Sequence, residues 1–490
     1  MPAPTALYAT AALRTLERRA RTQAGIAEDT LMRRAGQAGW RCLLRHWPDA
    51  QRIRVLAGPG NNGGDGWVLA QHARESGRDV CVLTVTEDAP RTPLAREMAD
   101  AYRQAGGRST VFDGALPEPE VIVDALFGIG LKHAPEGDAR RLIEAANARG
   151  LPILALDVPS GVDADSGAVP GAAIRATGTL QFIAEHVGLT TGAALDHVGV
   201  AMLASLEVPA ACFDGVEPAA VRLPAPRWPR RPRDSHKGRF GHVLAVGGEH
   251  GMGGAIVIAA EAALRSGAGR VSVATRAAQV AALLVRRPEA MGHALDDPAA
   301  LRPLLADADA LVVGPGLGQG AWGRGLFAAA MDGGQPCVVD ADALGLLAEA
   351  PRVLPPTTVL TPHPGEAARL LGSATSAVQA DRHAAAQALV DRYGCALVLK
   401  GAGSIVAAPG RTPRVLGLGN PGMASAGMGD ALAGVIASLL AQGHDAFEAA
   451  SAGAWLHARA GDLAAASGEA GVLAGDLIRA LPAAIAECVA

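Results

Sequence analysis

The chain has 490 residues, a formal net charge of −4 and a composition that is 49% hydrophobic but only 3% aromatic. That length exceeds one core, so two or three domains are expected, and the slightly acidic balance offers no basic footprint for nucleic acid or an anionic membrane. No stretch approaches about 18 uninterrupted apolar residues, and Met1-Pro2-Ala3-Pro4 lacks the charged-then-apolar order of an export signal; a cytoplasmic protein without a membrane span is expected.

In chain order, residues 12–46 read as helix, with Leu13, Leu16, Leu31 and Trp40 among Arg, Ala and Glu. The apolar runs Ile53–Ala57, Val80–Val85, Val121–Ala125 and Ile153–Leu156 then alternate with helical patterns over 66–76, 93–105 and 138–149. Strands alternating with helices imply a parallel sheet covered on both faces. Thr179–Ile183 and Val198–Leu206 add strands. The stretch Glu217–Asp234 breaks the pattern with five prolines and five arginines, and reads as a solvated linker. The alternation restarts at His242–Val246. A helix over 253–267 follows, then strands at Val271–Ala274, Ala310–Val313, Cys337–Val339, Thr358–Leu360, Ala396–Leu399 and Ser404–Ala407, and helices over 426–441 and 446–462. The organisation expected is two different α/β domains, 1–216 and 235–490, joined by 217–234. Cys42, Cys81, Cys212, Cys337, Cys395 and Cys488 show no metal-ligand spacing and read as reduced, mostly buried thiols.

The first domain carries Gly58-Pro59-Gly60-Asn61-Asn62-Gly63-Gly64-Asp65-Gly66 directly after a strand. Glycines there allow positive φ and close approach to a ligand, and a helix opening on such a loop presents free N–H groups to an anion. Asp124 and Asp157 end two further strands, before Ala125-Leu126-Phe127-Gly128-Ile129-Gly130-Leu131-Lys132 and Val158-Pro159-Ser160-Gly161. In an open parallel sheet, ligands bind beyond the carboxyl ends of the strands, so the three loops are expected to meet in one crevice. Each Asp alone could be a helix cap.

Over residues 10–212 these motifs resemble the NAD(P)H-hydrate epimerase domain, the front half of bifunctional nicotinamide-nucleotide repair proteins, with a Rossmann-like α/β/α sandwich. The resemblance implies that Asn61, Asn62, Gly63, Gly64 and Asp65, together with Gly128, Ile129, Gly130, Leu131, Lys132, His133 and Ala134, hold the hydrated dinucleotide. It implies K+ on Asn62, Asp124 and Ser160. Asp157 is expected to contact the nicotinamide end as acid/base, with Lys132 a second choice.

In the second domain Gly427-Met428-Gly429-Asp430 opens a helix behind the small-residue run Gly419–Ala426. An Asp there is also favourable for capping alone. The context suits phosphoryl transfer to a hydroxyl, with the helix end holding the anion and Asp430 accepting the proton. Lys400-Gly401-Ala402-Gly403-Ser404, Thr361-Pro362-His363-Pro364-Gly365-Glu366, Gly314–Gly318 and Gly247–Ala255 supply glycine-rich or polar loops at other strand ends.

Over residues 235–485 this half resembles the ribokinase-like superfamily, and within it the ADP- or ATP-dependent NAD(P)H-hydrate dehydratases. The resemblance implies substrate contacts at Ala255, Gly318, His363 and Asp430, and adenine-nucleotide contacts at Lys400–Ser404 and Gly429. Mg2+ is expected with ADP or ATP, Glu366 being its one candidate ligand. Together the halves imply epimerisation of NADHX and NADPHX and dehydration of the S form at the expense of ADP or ATP. The expected partners are these small molecules and further copies of the chain, not nucleic acid or membrane. Two rival readings remain: a vitamin-precursor hydroxyl kinase with an N-terminal nucleotide-binding module, and a front half that only senses nucleotides.

Overall fold

The structure, a computed structural model, describes residues 5–87, 89–131 and 133–489. The chain divides into two compact units, Thr5–Ala220 and Val221 onward.

In the front unit the helix expected over 12–46 is two helices, α1 (Thr10–Thr22) and α2 (Glu28–His46), because Gly25 turns between them with φ 66°. There follow β1 (Arg52–Ala57), α3 (Asn61–Glu75), β2 (Asp79–Thr84), α4 (Pro93–Gln104), β3 (Arg108–Val111), β4 (Val121–Ala125), α5 (Gly137–Ala148), β5 (Ile153–Leu156), β6 (Gly178–Phe182) and β7 (Val200–Ala204). The seven strands run in the order β3-β2-β1-β4-β5-β6-β7, all parallel. Alternate residues of one strand enter opposite layers, as the two-residue repeat requires. Val55 and Val123 pack with Trp67, Leu69 and Tyr102 on one face, while Leu56 and Ile122 pack with Leu142 and Ile143 of α5 on the other. The chain leaves β1 toward one edge and returns at β4 on its other side. That reversal opens a crevice above β1, β4 and β5.

The back unit repeats the logic. It contains β8 (His242–Val246), α6 (Gly253–Arg265), β9 (Arg270–Thr275), β10 (Met291–Ala294), β11 (Ala310–Val313), β12 (Cys337–Val339), α7 (Asp342–Glu349), β13 (Thr358–Leu360), α8 (Pro364–Leu371), β14 (Ala396–Leu399), β15 (Ile405–Ala407), β16 (Arg414–Val415), α9 (Met428–Ala441), α10 (Ala446–Ala464) and α11 (Ala474–Ala486). The order β10-β9-β8-β11-β12-β13-β14 is parallel, and β15 and β16 add antiparallel pairs at the end. Small aliphatics let the layers approach closely. A Cβ on Gly434 of α9 would lie 2.1 Å from the Ala259 carbonyl oxygen of α6.

Part of the stretch expected to be a linker is built into this unit. Val221 and Arg222 pair in parallel with β16, and the Trp228 N–H donates to the Cys488 carbonyl at 2.9 Å. All six cysteines are free and five are buried. Among the described residues, no helix is long and apolar enough to cross a membrane.

Candidate active sites

The glycine-rich segment after β1 is mostly not a loop. Only Gly58-Pro59-Gly60 is irregular, and Asn61 through Gly66 form the first turns of α3. None of these glycines has positive φ, contrary to expectation. They are small because neighbours leave no room for a side chain. A Cβ would meet the Leu126 carbonyl oxygen at 1.7 Å from Gly58, the Gly58 carbonyl oxygen at 2.1 Å from Gly63, Met32 at 2.5 Å from Gly64, and Ala125 at 2.7 Å from Gly66. The start of α3 is thereby pressed onto the rim of the sheet.

Above that rim lies a cleft of about 620 Å³, lined by Asn61, Asn62, Asp65, Gly128, Ile129, Gly130, Leu131 and Asp157. Its volume suits a ligand of nucleotide size. Gly63 and Gly64 are buried behind this wall. His133 and Ala134 do not line the cleft. Lys132 lies outside the described residues.

Beneath the cleft Asp124, fully buried, joins two loops. Its Oδ1 accepts from Ser160 Oγ at 2.6 Å and Leu126 N–H at 3.2 Å, and its Oδ2 from Ser160 N–H at 2.8 Å. Ser160 Oγ in turn accepts from the Phe127 N–H at 2.8 Å. Burial pushes the Asp124 carboxyl up to about 6, although the bonds from Ser160 and Leu126 oppose the rise. Asn62 donates through Nδ2 to the Leu156 carbonyl at 3.2 Å, while its Oδ1 is buried without a partner. A buried carboxylate below and an orphaned amide oxygen are what a hard monovalent cation would satisfy.

Asp157 adopts φ 68°, a region that side chains other than glycine rarely occupy. Its Oδ2 accepts from the Ile129 N–H at 3.2 Å, and its Oδ1 lies 2.8 Å from His186 Nε2. Gly128 must be glycine here, since a Cβ would sit 2.6 Å from Asp157 Oδ2. The sequence reading missed His186, and it missed the wall formed by α1. Arg14, Glu17, Arg18 and Arg21 line the cleft from that helix. On a helical wheel of about 100° per residue, Arg14, Arg18 and Arg21 share one face and Glu17 flanks it on the side of buried Leu13. Desolvation, then Asp157, pushes the Glu17 carboxyl up to about 7. Burial, then Asp157 and Glu17, holds Asp65 well above the usual carboxylate range. The cleft therefore pairs an acidic interior with cations along one wall.

In the back unit the polar groups also gather at the carboxyl ends of the strands. Lys400, one residue past β14, places Nζ 2.9 Å from Asp340 Oδ1 and 3.8 Å from Glu366 Oε2. Thr361 Oγ1 donates to the same Asp340 oxygen at 2.8 Å. A Cβ on Gly429 would stand 3.0 Å from Lys400 Nζ, so the ammonium sits against the opening turn of α9. Burial alone would depress this amine, but Asp340 and Glu366 outweigh it and hold the amine above its usual range. Burial, then the Asp340 charge, pushes Asp430 up to about 6.

Asp340 and Asp342 straddle Ala341, itself strained at φ 49°. Asp342 Oδ2 accepts from the Gly318 N–H at 2.8 Å, and the Glu249 N–H donates to the Gly316 carbonyl at 2.6 Å. The segment Asp340–Asp342 thus ties the Gly318 loop to the Lys400 side, and through Glu249 to the loop that ends in Ala255. The signal was available: Asp340 follows Val338-Val339 as Asp157 follows Ala155-Leu156.

His363 caps α8, its Nδ1 accepting from Gly365 N–H at 3.0 Å while Glu366 accepts from the His363 N–H at 2.7 Å. Glu366 is occupied by this cap and by Lys400, and no cluster of three or more His, Cys, Asp or Glu among the described residues fits a metal ion. The residues here do not form a magnesium cage. Gly401 and Gly403 adopt φ 136° and 62°, and Ser404 Oγ closes their turn on the Gly401 carbonyl at 2.9 Å. Buried Arg382 supports it by donating to the Leu399 and Lys400 carbonyls.

Two open, mainly parallel sheets, each with carboxylates beside a helix start at its carboxyl rim, define a two-domain α/β enzyme with one site per unit. Residues 28–188 match the family model described as YjeF-related protein N-terminus, and residues 243–483 that of NAD(P)H-hydrate dehydratase. The bifunctional NAD(P)H-hydrate repair enzyme of Coxiella burnetii is 44% identical over 96% of this chain and 98% of its own length. That of Escherichia coli is 44% identical over 96% and 92%. A ribokinase-like superfamily protein of Enterococcus faecalis, 33% identical, covers 53% of this chain and 92% of its own, with a TM-score of 0.50. The chain belongs to the family of bifunctional NAD(P)H-hydrate repair enzymes, with an epimerase half ahead of a ribokinase-like dehydratase half.

Proposed function

We propose that the front unit interconverts the R and S epimers of hydrated NADH and NADPH in the cleft bounded by Asn61, Gly128–Leu131 and Asp157, and that the back unit dehydrates the S epimer using ADP or ATP. The observation that carries the reading is the placement of a carboxylate beside a helix opening at each site, Asp157 across from α3 and Asp430 within the first turn of α9.

In the front cleft Asp157 takes the proton of the ring hydroxyl. The carbon–oxygen bond becomes a carbonyl as the ring carbon–nitrogen bond opens, its electron pair passing to nitrogen. Closure on the opposite carbonyl face returns the proton and leaves the other epimer. Asn62, Asp124 and Ser160 would hold a potassium ion, which would supply a fixed positive charge to the site. The backbone N–H groups of the first α3 turn suit the ligand's phosphates.

In the back unit Asp430 accepts the ring-hydroxyl proton as that oxygen takes a phosphoryl group from the nucleotide. Lys400, kept charged by Asp340, neutralises the transferring phosphates beside Gly429, and the Gly401–Ser404 turn holds the remainder of the nucleotide. Phosphate then leaves with the carbon–oxygen bonding pair, assisted by the ring-nitrogen lone pair, and loss of a proton from the adjacent ring carbon forms the double bond that restores the dihydronicotinamide. Magnesium would enter on the nucleotide phosphates. Ala255, Gly318 and His363 are assigned to the substrate side. The free thiols suit a reducing compartment, and we place the enzyme in the cytoplasm.

The test is incubation of the purified protein with mixed hydrated NADH epimers, with and without ADP or ATP. Nucleotide-dependent release of free phosphate with recovery of dihydronicotinamide absorbance is expected. Accumulation of a stable phosphate ester would favour a hydroxyl kinase instead.

A further inference from the structure

His186 belongs to no motif, yet its ring lies buried directly behind Asp157. It lies in a short strand, Glu185–His186, that pairs in parallel with Ala6–Tyr8 so that Tyr8 stands opposite His186. Its N–H donates to Oε1 of buried Gln181 at 2.7 Å. The backbone beneath the ring is therefore fixed from two sides. The ring is 1% exposed, whereas Asp157 in front of it is 14% exposed, with 2.8 Å between Nε2 and Oδ1.

With Asp157 ionised, Nε2 carries the hydrogen of this bond, and Nδ1 of a neutral ring is left as an acceptor. That Nδ1 is buried without a partner. The fold thus tolerates two unfavourable features at one place, an unpartnered ring nitrogen and a left-handed aspartate. Features of this kind persist where the surroundings enforce them for function.

We infer that His186 is a positioning residue for epimerisation: donating from behind to Oδ1, it fixes the Asp157 carboxylate in its strained orientation, so that the second lone pair of Oδ2, whose other accepts from the Ile129 N–H, meets the substrate hydroxyl. The inference rests on Asp157 being the proton-accepting group proposed above. The other charged groups facing this pair are Glu17, with Arg14 and Glu28 near it, and Asp65 from α3.

The experiment compares His186→Phe, which keeps a ring but removes the donor, with His186→Gln, whose amide reaches the same position as Nε2 without titrating. Epimerase kcat and KM are measured on chirally resolved substrate across pH, in the full-length protein. His186→Phe is expected to lower kcat about 100-fold with KM within about twofold. It should move the acid limb of the kcat profile about one pH unit upward. His186→Gln should recover kcat to within about tenfold of the native value. Dehydratase turnover, which uses the other unit, should be unchanged, and a native-like thermal unfolding transition of the front unit reports that the variants fold.

Native kcat and an unmoved acid limb in His186→Phe would overturn the inference. So would a Gln variant no better than Phe with dehydratase turnover intact. Asp157→Ala separates this from the reading beneath it: if that variant also epimerises at the native rate, the Asp157 assignment itself fails.

Discussion

Lys400 Nζ stands 2.9 Å from Asp340 Oδ1, and the two residues come from strand ends 60 positions apart. Asp340 is almost wholly buried, so the carboxylate has no solvent to lose and the ammonium no freedom to leave. A cation anchored this way can face an anion at Gly429 without reorganising when the ligand arrives. Replacing Asp340 by Asn keeps the shape but leaves the Lys400 ammonium with the more distant Glu366 carboxylate at 3.8 Å, which costs up to about 3 kcal/mol. Urea unfolding should show that loss. Dehydratase turnover should fall by about 100-fold while epimerase turnover holds.

Asp430 should impose an acid limb on dehydration. With its carboxyl raised to about 6, the proton-accepting form is lost as pH falls through that value. Turnover is then expected to drop about tenfold per unit below it. Because the folded-state value lies above the unfolded one, the favourable contribution of the protonated acid is present at low pH and disappears as pH rises through about 6. Asp430→Asn should therefore abolish dehydration, leave nucleotide binding within about threefold, and raise the melting temperature at pH 8 but not at pH 4. An active Asn variant would remove Asp430 from the chemistry.

Potassium should stabilise the front unit through the Asn62 and Asp124 oxygens. At a hundredfold excess over its dissociation constant, an ion bound only by the folded state adds about 2.7 kcal/mol. Thermal unfolding in potassium chloride against tetramethylammonium chloride reads this directly. Asp124→Asn should erase the difference. Equal curves for the native protein in the two salts would place no ion there.

The glycines before and within α3 should differ sharply in tolerance. A Cβ on Gly63 would meet the Gly58 carbonyl oxygen at 2.1 Å, a backbone atom that cannot yield cheaply, whereas Gly60 has nothing within 4 Å and φ −96°. Gly63→Ala is expected to destabilise by about 3 kcal/mol, and Gly60→Ala by less than about 0.5 kcal/mol. Chemical denaturation of each variant settles the contrast.

Much of the scaffold can be read directly from hydrophobic runs. Strands such as Ile153–Leu156, Ala310–Val313 and Ala396–Leu399 are apolar throughout because both faces of a parallel sheet are covered. Asp124, near the end of Val121–Ala125, and Asp157, just past Ile153–Leu156, stand out for the same reason. The break between α1 and α2 was invisible because one glycine interrupts an otherwise continuous pattern. The helical start of Asn61–Gly66 was hidden because two Asn and three Gly have poor helix propensity, which packing against Leu126, Ala125 and Met32 overrides.

Sequence by itself determined that there are two α/β units and that acids and glycine-rich segments stand at the strand ends of each, because burial on both sheet faces and the demand for small residues are properties of short segments. Only the tertiary structure decided that His186 backs Asp157, that the cations of α1 wall the front cleft, and that Asp340 grips Lys400. Those pairings join elements 29 to 60 residues apart or more, and nothing in the local chain encodes which remote side chain arrives within hydrogen-bonding distance.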